Sequence, residues 1–269
     1  MKKILLFIPM YNCEKQIVRV LDQLDPEIQK YLSEVIIINN RSTDNGEKAV
    51  IEYLKKNNFT IPISLLKNKE NYGLGGSHKV AFDYAVKNKF DYVIVLHGDD
   101  QGHINNLLPY LKNGEYKKYD CFLGARFKKG ACLEGYSAFR TFGNRVYNLL
   151  FSIVVHKRIY DLGSGLNMYA TSMLKDKFYL KYKDNLMFNY CMILGSSYYR
   201  HKMGFFPIRW SEDDQVSNVK MLNQAIVVLK LLGSYFVNKR KFVKEEHRDN
   251  PSFKYKAEIV YANEREKAE

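Results

Sequence analysis

His97, Gly98, Asp99, Asp100 and Gln101 place an imidazole, two carboxylates and an amide on five consecutive residues. Hard oxygen donors of this kind suit Mg2+ or Mn2+. In extended backbone successive side chains alternate faces, so Asp99 and Gln101 point one way and Asp100 the other. A neutral His97 adds a nitrogen donor, which gives His97, Asp99 and Gln101 as the candidate metal ligands. Gly-Asp-Asp is also good turn chemistry, so spacing alone supports either a solvated turn or a metal site. Three further polar clusters stand beside apolar runs: Pro9, Tyr11 and Asn12; Asn39, Ser42 and Asp44; Asn71, Gly73 and Gly76.

The elements that position these clusters follow from hydrophobic pattern. Residues 4–8, 35–38, 63–66, 92–96 and 121–124 are short apolar runs, as expected of strands buried on both faces of a parallel sheet. Helical spacing fills the gaps. Asn12 is a candidate cap for Ile17, Val20, Leu21 and Leu24, and Asp44 for Ala49, Val50, Tyr53 and Leu54. Ser77 would open a third helix carrying Val80, Ala81, Tyr84 and Ala85. This alternation predicts a doubly wound α/β layer structure over the first 125 residues. Ligands of such sheets bind outside the carboxyl ends of the strands, where all four clusters fall.

Beyond Arg126 the pattern changes. Residues 127–145, rich in Gly, Lys and Arg, read as a mobile loop, and 146–155 as a buried or half-buried helix. Residues 205–210 read as a strand kept near an edge by Pro207. Residues 222–236 form a helix with Leu222, Ala225, Ile226, Leu229, Leu232 and Phe236 on one face, followed by Lys239, Arg240 and Lys241. Such a helix suits an anionic bilayer surface, but packing on the sheet is the commoner fate of an apolar face. The last 25 residues, dense in charge, predict a solvated helix or frayed tail.

The chain has 269 residues and 42 Lys and Arg against 29 Asp and Glu, a net charge of +13. At 46% apolar and 26% charged it is globular in composition, which excludes a disordered chain or a collagen. Lys230 interrupts the longest apolar stretch, residues 222–237, below the roughly 20 residues of a membrane span. With no signal-peptide core and four scattered cysteines, the expected setting is cytoplasmic. The basic surface favours anionic partners. The Lys and Arg are spread along the chain rather than striped, which disfavours nucleic acid.

Taken in order, these motifs resemble the family 2 glycosyltransferases. The resemblance covers about residues 3–240. Residues 9–12 are similar to the family's first nucleotide-contacting loop, 42–44 to the end of its second, and 71–85 to its Asn-x-Gly segment. Residues 97–99 occupy the place of its Asp-x-Asp metal motif. Gly124, Ala125 and Arg126, then Arg140, Asn144 and Arg145, then residues 161–165 and 217–220, resemble the polyprenyl-phosphate branch, which is similar to dolichol-phosphate mannose synthase. Two departures stand out: His97 replaces the first metal-motif Asp, and Asn39 and Asn40 replace an Asp pair.

The resemblance implies a GT-A fold, a Rossmann-like doubly wound mixed sheet flanked by helices. It implies one catalytic domain over 1–240, with a nucleotide half to about 125, an acceptor half after it and a charged tail at 241–269. The implied activity is transfer from a nucleotide sugar, aided by Mg2+ or Mn2+, in polysaccharide or glycolipid synthesis. Donor binding falls to Pro9, Tyr11, Asn12, Asn39, Ser42, Asp44, Asn71, Gly73, Gly76, His97 and Gly98, and catalysis to Asp99. Arg126, Arg140, Arg145 and Ser164 would bind an anionic acceptor such as polyprenyl phosphate, which is already ionised and needs no base. That acceptor would bring the protein to the inner face of the membrane. A saccharide hydroxyl would instead need a base, for which Asp213, Asp214 and Asp184 are candidates. The two departures also admit a non-catalytic sugar-nucleotide-binding protein.

Overall fold

The computed structural model describes residues 2–212 and 221–263; Asp213, Asp214 and residues 217–220 lie outside them. The strands are β1 (Ile4–Met10), β2 (Glu34–Asn39), β3 (Ile63–Asn68), β4 (Tyr92–Leu96), β5 (Cys121–Ala125), β6 (Cys132–Glu134), β7 (Leu166–Ala170), β8 (Met203–Pro207), β9 (Arg209–Ser211) and β10 (Ala257–Ala262). Eight of them form one mixed sheet in the order β10-β3-β2-β1-β4-β7-β5-β8, and β6 pairs with β9 in a second. The parallel block β3-β2-β1-β4 is the predicted alternating half. Phe7 of β1 lies in register with Ile36 of β2 and Val95 of β4. All seven β1 residues are buried because helices cover both faces. Leu5 and Phe7 join one core, and Ile4, Leu6 and Ile8 the other.

Three longer helices link the parallel strands, with a short helical turn at Pro26–Gln29: α1 (Glu14–Asp22), α2 (Gly46–Lys56) and α3 (Gly73–Lys87). Their apolar positions are as the spacing predicted, but their starts differ. Asn12 does not cap α1; it turns the chain at φ 49°. Asp44 lies one residue before the start of α2's cap, and it accepts from Glu14 N at 2.8 Å and Gly46 N at 3.1 Å, so one carboxylate serves the first residues of both α1 and α2. α3 begins four residues before Ser77, which is buried inside it with its hydroxyl on the Gly73 carbonyl.

Later elements depart further. The expected loop 127–145 contains β6 and the start of α4 (Ala138–Val155), so Arg140 and Arg145 stand on a helix. α5 (Phe188–Tyr198) is buried over most of its length. Residues 205–210 divide: β8 forms the sheet edge and β9 leaves for the small sheet. α6 (Met221–Val237) packs through Val228, Leu231, Leu232 and Tyr235; of the expected face, Ile226, Leu229 and Phe236 are exposed. α7 (Lys239–Lys244) follows it. Of the expected charged tail, Ala257–Ala262 form a strand instead, and residues 264–269 lie outside the described residues. β10 pairs antiparallel with β3, the Lys69 amide donates to the Lys256 carbonyl, and Asn263 accepts from Ile63 N. Alternating Ile259 and Tyr261 suit an edge strand, and charged neighbours keep it soluble.

Candidate active site

The carboxyl ends of β1, β2 and β4 open into a cavity of about 320 Å³. Left-handed turns redirect the chain there at Asn12 (φ 49°), Arg41 (66°), Gly73 (70°) and Asp100 (61°). Of the expected residues, Pro9, Tyr11, Asn12, Asn71, Gly73, His97, Gly98 and Asp99 line this cavity. Gly98 sits where any Cβ would meet the Pro9 carbonyl at 2.8 Å, so β1 and β4 can close on each other only with glycine there.

The remaining donor residues hold the walls from behind. Asn39 is buried; it donates to Glu47 at 2.7 Å and accepts from Ser42 N. The Ser42 hydroxyl accepts from Asn12 N, and Asn12 Oδ1 accepts from Thr43 N at 2.8 Å, which locks the first two loops together. Gly76 packs on Tyr72. Asn40 is the strand-end residue that faces the cavity, with its amide on Asn71 and its carbonyl taken by Asn68 and Tyr72 N. It stood beside Asn39 in the sequence, and the alternation of side chains past the end of β2 was the available signal. Leu186 completes the lining from a distant loop, with no sequence signal.

That loop is fixed by an ion pair the sequence did not reveal. Lys79 has no exposed side-chain surface and donates to Asp184 Oδ1 at 2.7 Å, the Tyr182 carbonyl at 2.6 Å and the Tyr255 hydroxyl at 3.2 Å. The Asp184 carbonyl accepts from Gly75 N at 2.7 Å and Gly76 N at 3.3 Å. A Cβ on Gly73 would lie 2.4 Å from that same oxygen. Asp184 is therefore a structural anchor; a buried carboxylate already on an ammonium is not a base for an acceptor.

At the cavity floor the backbone turns instead of staying extended, so strict alternation does not hold; Asp100, at φ 61°, points away and accepts from Arg19 at 2.6 Å and Gln23 at 2.9 Å. Asp99 points in, and burial pushes its carboxyl up to about 6. His97 Nδ1 lies 4.0 Å from Asp99 Oδ2. Burial, with help from Arg126, pulls His97 down to about 4, so at pH 7 it is neutral with a lone pair to give. Its Nε2 is buried without a hydrogen-bond partner. The ring is held by Gly165, whose carbonyl accepts from His97 N at 2.8 Å and whose Cβ, if present, would meet the ring at 3.0–3.1 Å. Gln101 does not line the cavity; its backbone N–H reaches Asp99 Oδ1 at 3.3 Å. Among the described residues no cluster of three or more His, Cys, Asp or Glu could hold an ion. One carboxylate and one neutral imidazole nevertheless fit a hard ion that takes its other ligands from substrate phosphates, as Mg2+ commonly does.

The expected acceptor residues are mostly engaged. Arg126 is buried and its fork is filled by Asp161, Nε to Oδ2 and Nη2 to Oδ1 both at 2.8 Å, with Trp210 against the guanidinium. Ser164 is buried and donates to the Leu166 carbonyl. Arg140 pairs with Glu212 and lies over Tyr136. Arg145 is exposed on α4, and no described carboxylate pairs with it. The two arginine corrections share one cause: Asp161 and Glu212, remote in sequence, fold onto Arg126 and Arg140.

Residues 6–178 match glycosyl transferase family 2, and the chain belongs to that family. An uncharacterized protein of Methanocaldococcus jannaschii is 30% identical over 176 residues, which are 63% of this chain and 72% of that protein. TarS of S. aureus, residues 1–349, superposes with a TM-score of 0.56 at 17% identity over 88% of this chain; the chain covers 66% of that structure, just under two thirds. Glucosyl-3-phosphoglycerate synthase of Mycobacterium tuberculosis, solved with Mn2+, UDP and glucosyl-3-phosphoglycerate, gives 0.57 at 13% identity over 88% of this chain and 80% of that one. The shared architecture is the GT-A glycosyltransferase fold.

Proposed function

We infer that the protein transfers a sugar from a nucleoside diphosphate to an anionic acceptor, with the phosphate of a polyprenyl lipid as the acceptor class. The observation that carries the reading is the convergence of Asp99, His97, Asn12, Asn71 and Gly73 on one cavity at the strand ends. TarS has been solved with UDP-GlcNAc and the mycobacterial synthase with UDP and Mn2+, which supports a uridine nucleotide as the first donor to try. The nucleotide would lie against the first two loops and the start of α3, which together line the cavity. Asp99 and His97 would hold Mg2+ or Mn2+, which when bound supplies electrostatic neutralisation of the leaving diphosphate. Asp99 must be ionised to do so, and His97 neutral.

Among the described residues that line the cavity, Asp99 is the one carboxylate. An acceptor that arrives ionised needs no other. The mycobacterial synthase, solved with phosphoglyceric acid, is a neighbour whose ligand is anionic. Arg126 would act by holding Asp161, Trp210 and Tyr136 in place, leaving Arg145 and Arg140 at the outer edge for the acceptor phosphate. Residues 1–125 and Leu186 would thus serve the donor, and the later segment the acceptor.

The test is a thermal-shift screen of UDP-, GDP-, CDP- and dTDP-sugars with and without Mn2+, since a ligand at about 100 times its Kd adds about 2.7 kcal/mol. Radiolabelled transfer is then measured to a short-chain polyprenyl phosphate and to a soluble saccharide. Transfer to the saccharide alone, lost with Asp213→Asn or Asp214→Asn, would overturn the lipid-phosphate reading.

A further inference from the structure

We propose that the outward faces of α4 and α6 form a docking surface for an anionic lipid bilayer. On α4, Phe139, Phe142, Val146, Leu149 and Ile153 recur at intervals of three and four, which puts them on one stripe. That stripe is not core: Phe139 is 72% exposed, Phe142 68%, Leu149 60% and Ile153 59%. The opposite side, Asn148, Phe151 and Val155, supplies the packing. α6 repeats the arrangement. Val228, Leu231, Leu232 and Tyr235 enter the same core as Phe151, while Ile226, Leu229 and Phe236 face outward. The two helices touch, and Lys239, the first residue of α7, donates to the Val154 carbonyl of α4.

Charge selects the occupant. Residues 138–158 and 221–244 contain no Asp or Glu, but they contain Arg140, Arg145, Lys157, Arg158, Lys230, Lys239, Arg240, Lys241 and Lys244. A second copy docking face to face would bring two such basic surfaces together. An anionic bilayer instead takes Phe and Leu into its interface and attracts the surrounding Lys and Arg. No helix of the described residues is long and apolar enough to cross a membrane, so the helices lie on it. α4 also starts beside the site: Tyr136 lies against both Arg126 and Arg140. A bilayer on α4 would thus present lipid phosphates at the acceptor edge. The proposal deepens the lipid-acceptor reading and takes its purpose from it, but its test uses no substrate.

Full-length protein is sedimented with vesicles of phosphatidylglycerol and phosphatidylcholine, and with phosphatidylcholine alone. Binding is expected to the first, with a marked fall in high salt. Phe142→Ser with Leu149→Ser should weaken it about a hundredfold, because burial of each such side chain is worth at least about tenfold. Both side chains are largely exposed, so the variant keeps the wild-type Tm. Lys157→Glu with Arg158→Glu should also weaken binding and flatten its salt dependence. Absence of binding to anionic vesicles, or unchanged binding of the apolar double variant, would overturn the proposal. So would a dimer in sedimentation velocity that the apolar double variant dissolves, because the face would then belong to a second copy. Vesicle binding without transfer to polyprenyl phosphate would instead remove the acceptor assignment and leave the docking surface standing.

Discussion

Lys79→Met tests whether the donor wall depends on its buried anchor. The wild-type ammonium makes three hydrogen bonds, to Asp184 Oδ1, the Tyr182 carbonyl and the Tyr255 hydroxyl. Methionine fills a similar volume but leaves the Asp184 carboxylate with only the Tyr255 hydroxyl on Oδ1, while Oδ2 has no partner even in the wild type. Removing one partner of a buried pair costs about 3–5 kcal/mol, far more than the pair contributes when both partners are replaced. At about 2–4 °C per kcal/mol for a domain near this size, the loss in Tm is roughly 6–20 °C. A second substitution separates charge from shape. Lys79→Met with Asp184→Asn removes the stranded charge and should recover about half of the loss. Because the Asp184 carbonyl receives Gly75 N and Gly76 N, the single variant should also bind nucleotide diphosphate more weakly at temperatures where it remains folded. Differential scanning fluorimetry and urea titration measure the first effect, and isothermal calorimetry the second. A single variant within 2 °C of wild type, or a double variant less stable than the single, would refute the reasoning; the 2 °C limit is about one increment of the Tm scale used above.

Asp99→Asn should abolish metal-dependent nucleotide binding yet stabilise the metal-free protein. The folded carboxyl is raised from 3.8 to about 6, so its ionised form opposes folding; the cost is absent below about pH 4, grows to about pH 6 and is constant above. With a quarter of the side chain exposed, the gain is about 1–2 kcal/mol at pH 7, read as a higher Tm in EDTA that converges with wild type near pH 4. On the same grounds Mn2+ affinity of the wild type should fall about tenfold per pH unit below about 6, whereas His97, at about 4, leaves the range above pH 5 unaffected. His97→Asp should retain or tighten Mg2+ binding, because a carboxylate suits a hard ion better; a large loss with both Mg2+ and Mn2+ would place His97 on the sugar instead. Gly165→Ala should push the His97 ring off its position, lowering Mn2+-dependent nucleotide affinity at least about tenfold with about 1–3 kcal/mol lost from overpacking.

The parallel half of the sheet was legible because its signal is local. Runs such as Val35 to Ile38 are solidly apolar only where both faces are covered, and the polar residues that follow them must then be at the strand ends. α4 was read eight residues too late because Arg140, Gly143 and Arg145 look like loop chemistry, and Phe139 and Phe142 have no core to enter. Arg126 was assigned outward because its partner Asp161, 35 residues away, is joined to it by the fold and not by spacing. The face of α6 was misread for a similar reason: the helix is apolar on most sides, so periodicity could not choose which side the core would take. β10 was hidden by Lys256 and Glu258, whose charge is that of a sheet edge as well as of a tail.

The return of β10 to β3 has a consequence for the order in which the chain is made. The donor wall at Asn71 to Gly76 is encoded in the first third of the sequence, yet Tyr72 is packed by Phe253 and Tyr255, and Lys79 shares its anchor with Tyr255. While the ribosome is still translating, the first 125 residues can form their parallel strands, but the outer edge of β3 stays bare and the wall lacks its backing. Both wait for residues some 180 positions downstream, as with Tyr72 and Lys256. The nascent protein therefore carries an open, apolar sheet edge for most of its synthesis, the condition in which edge-to-edge association competes with folding. A protease cut between Asn250 and Phe253 would recreate that state in the finished molecule, disarming the cavity without touching a single residue that lines it.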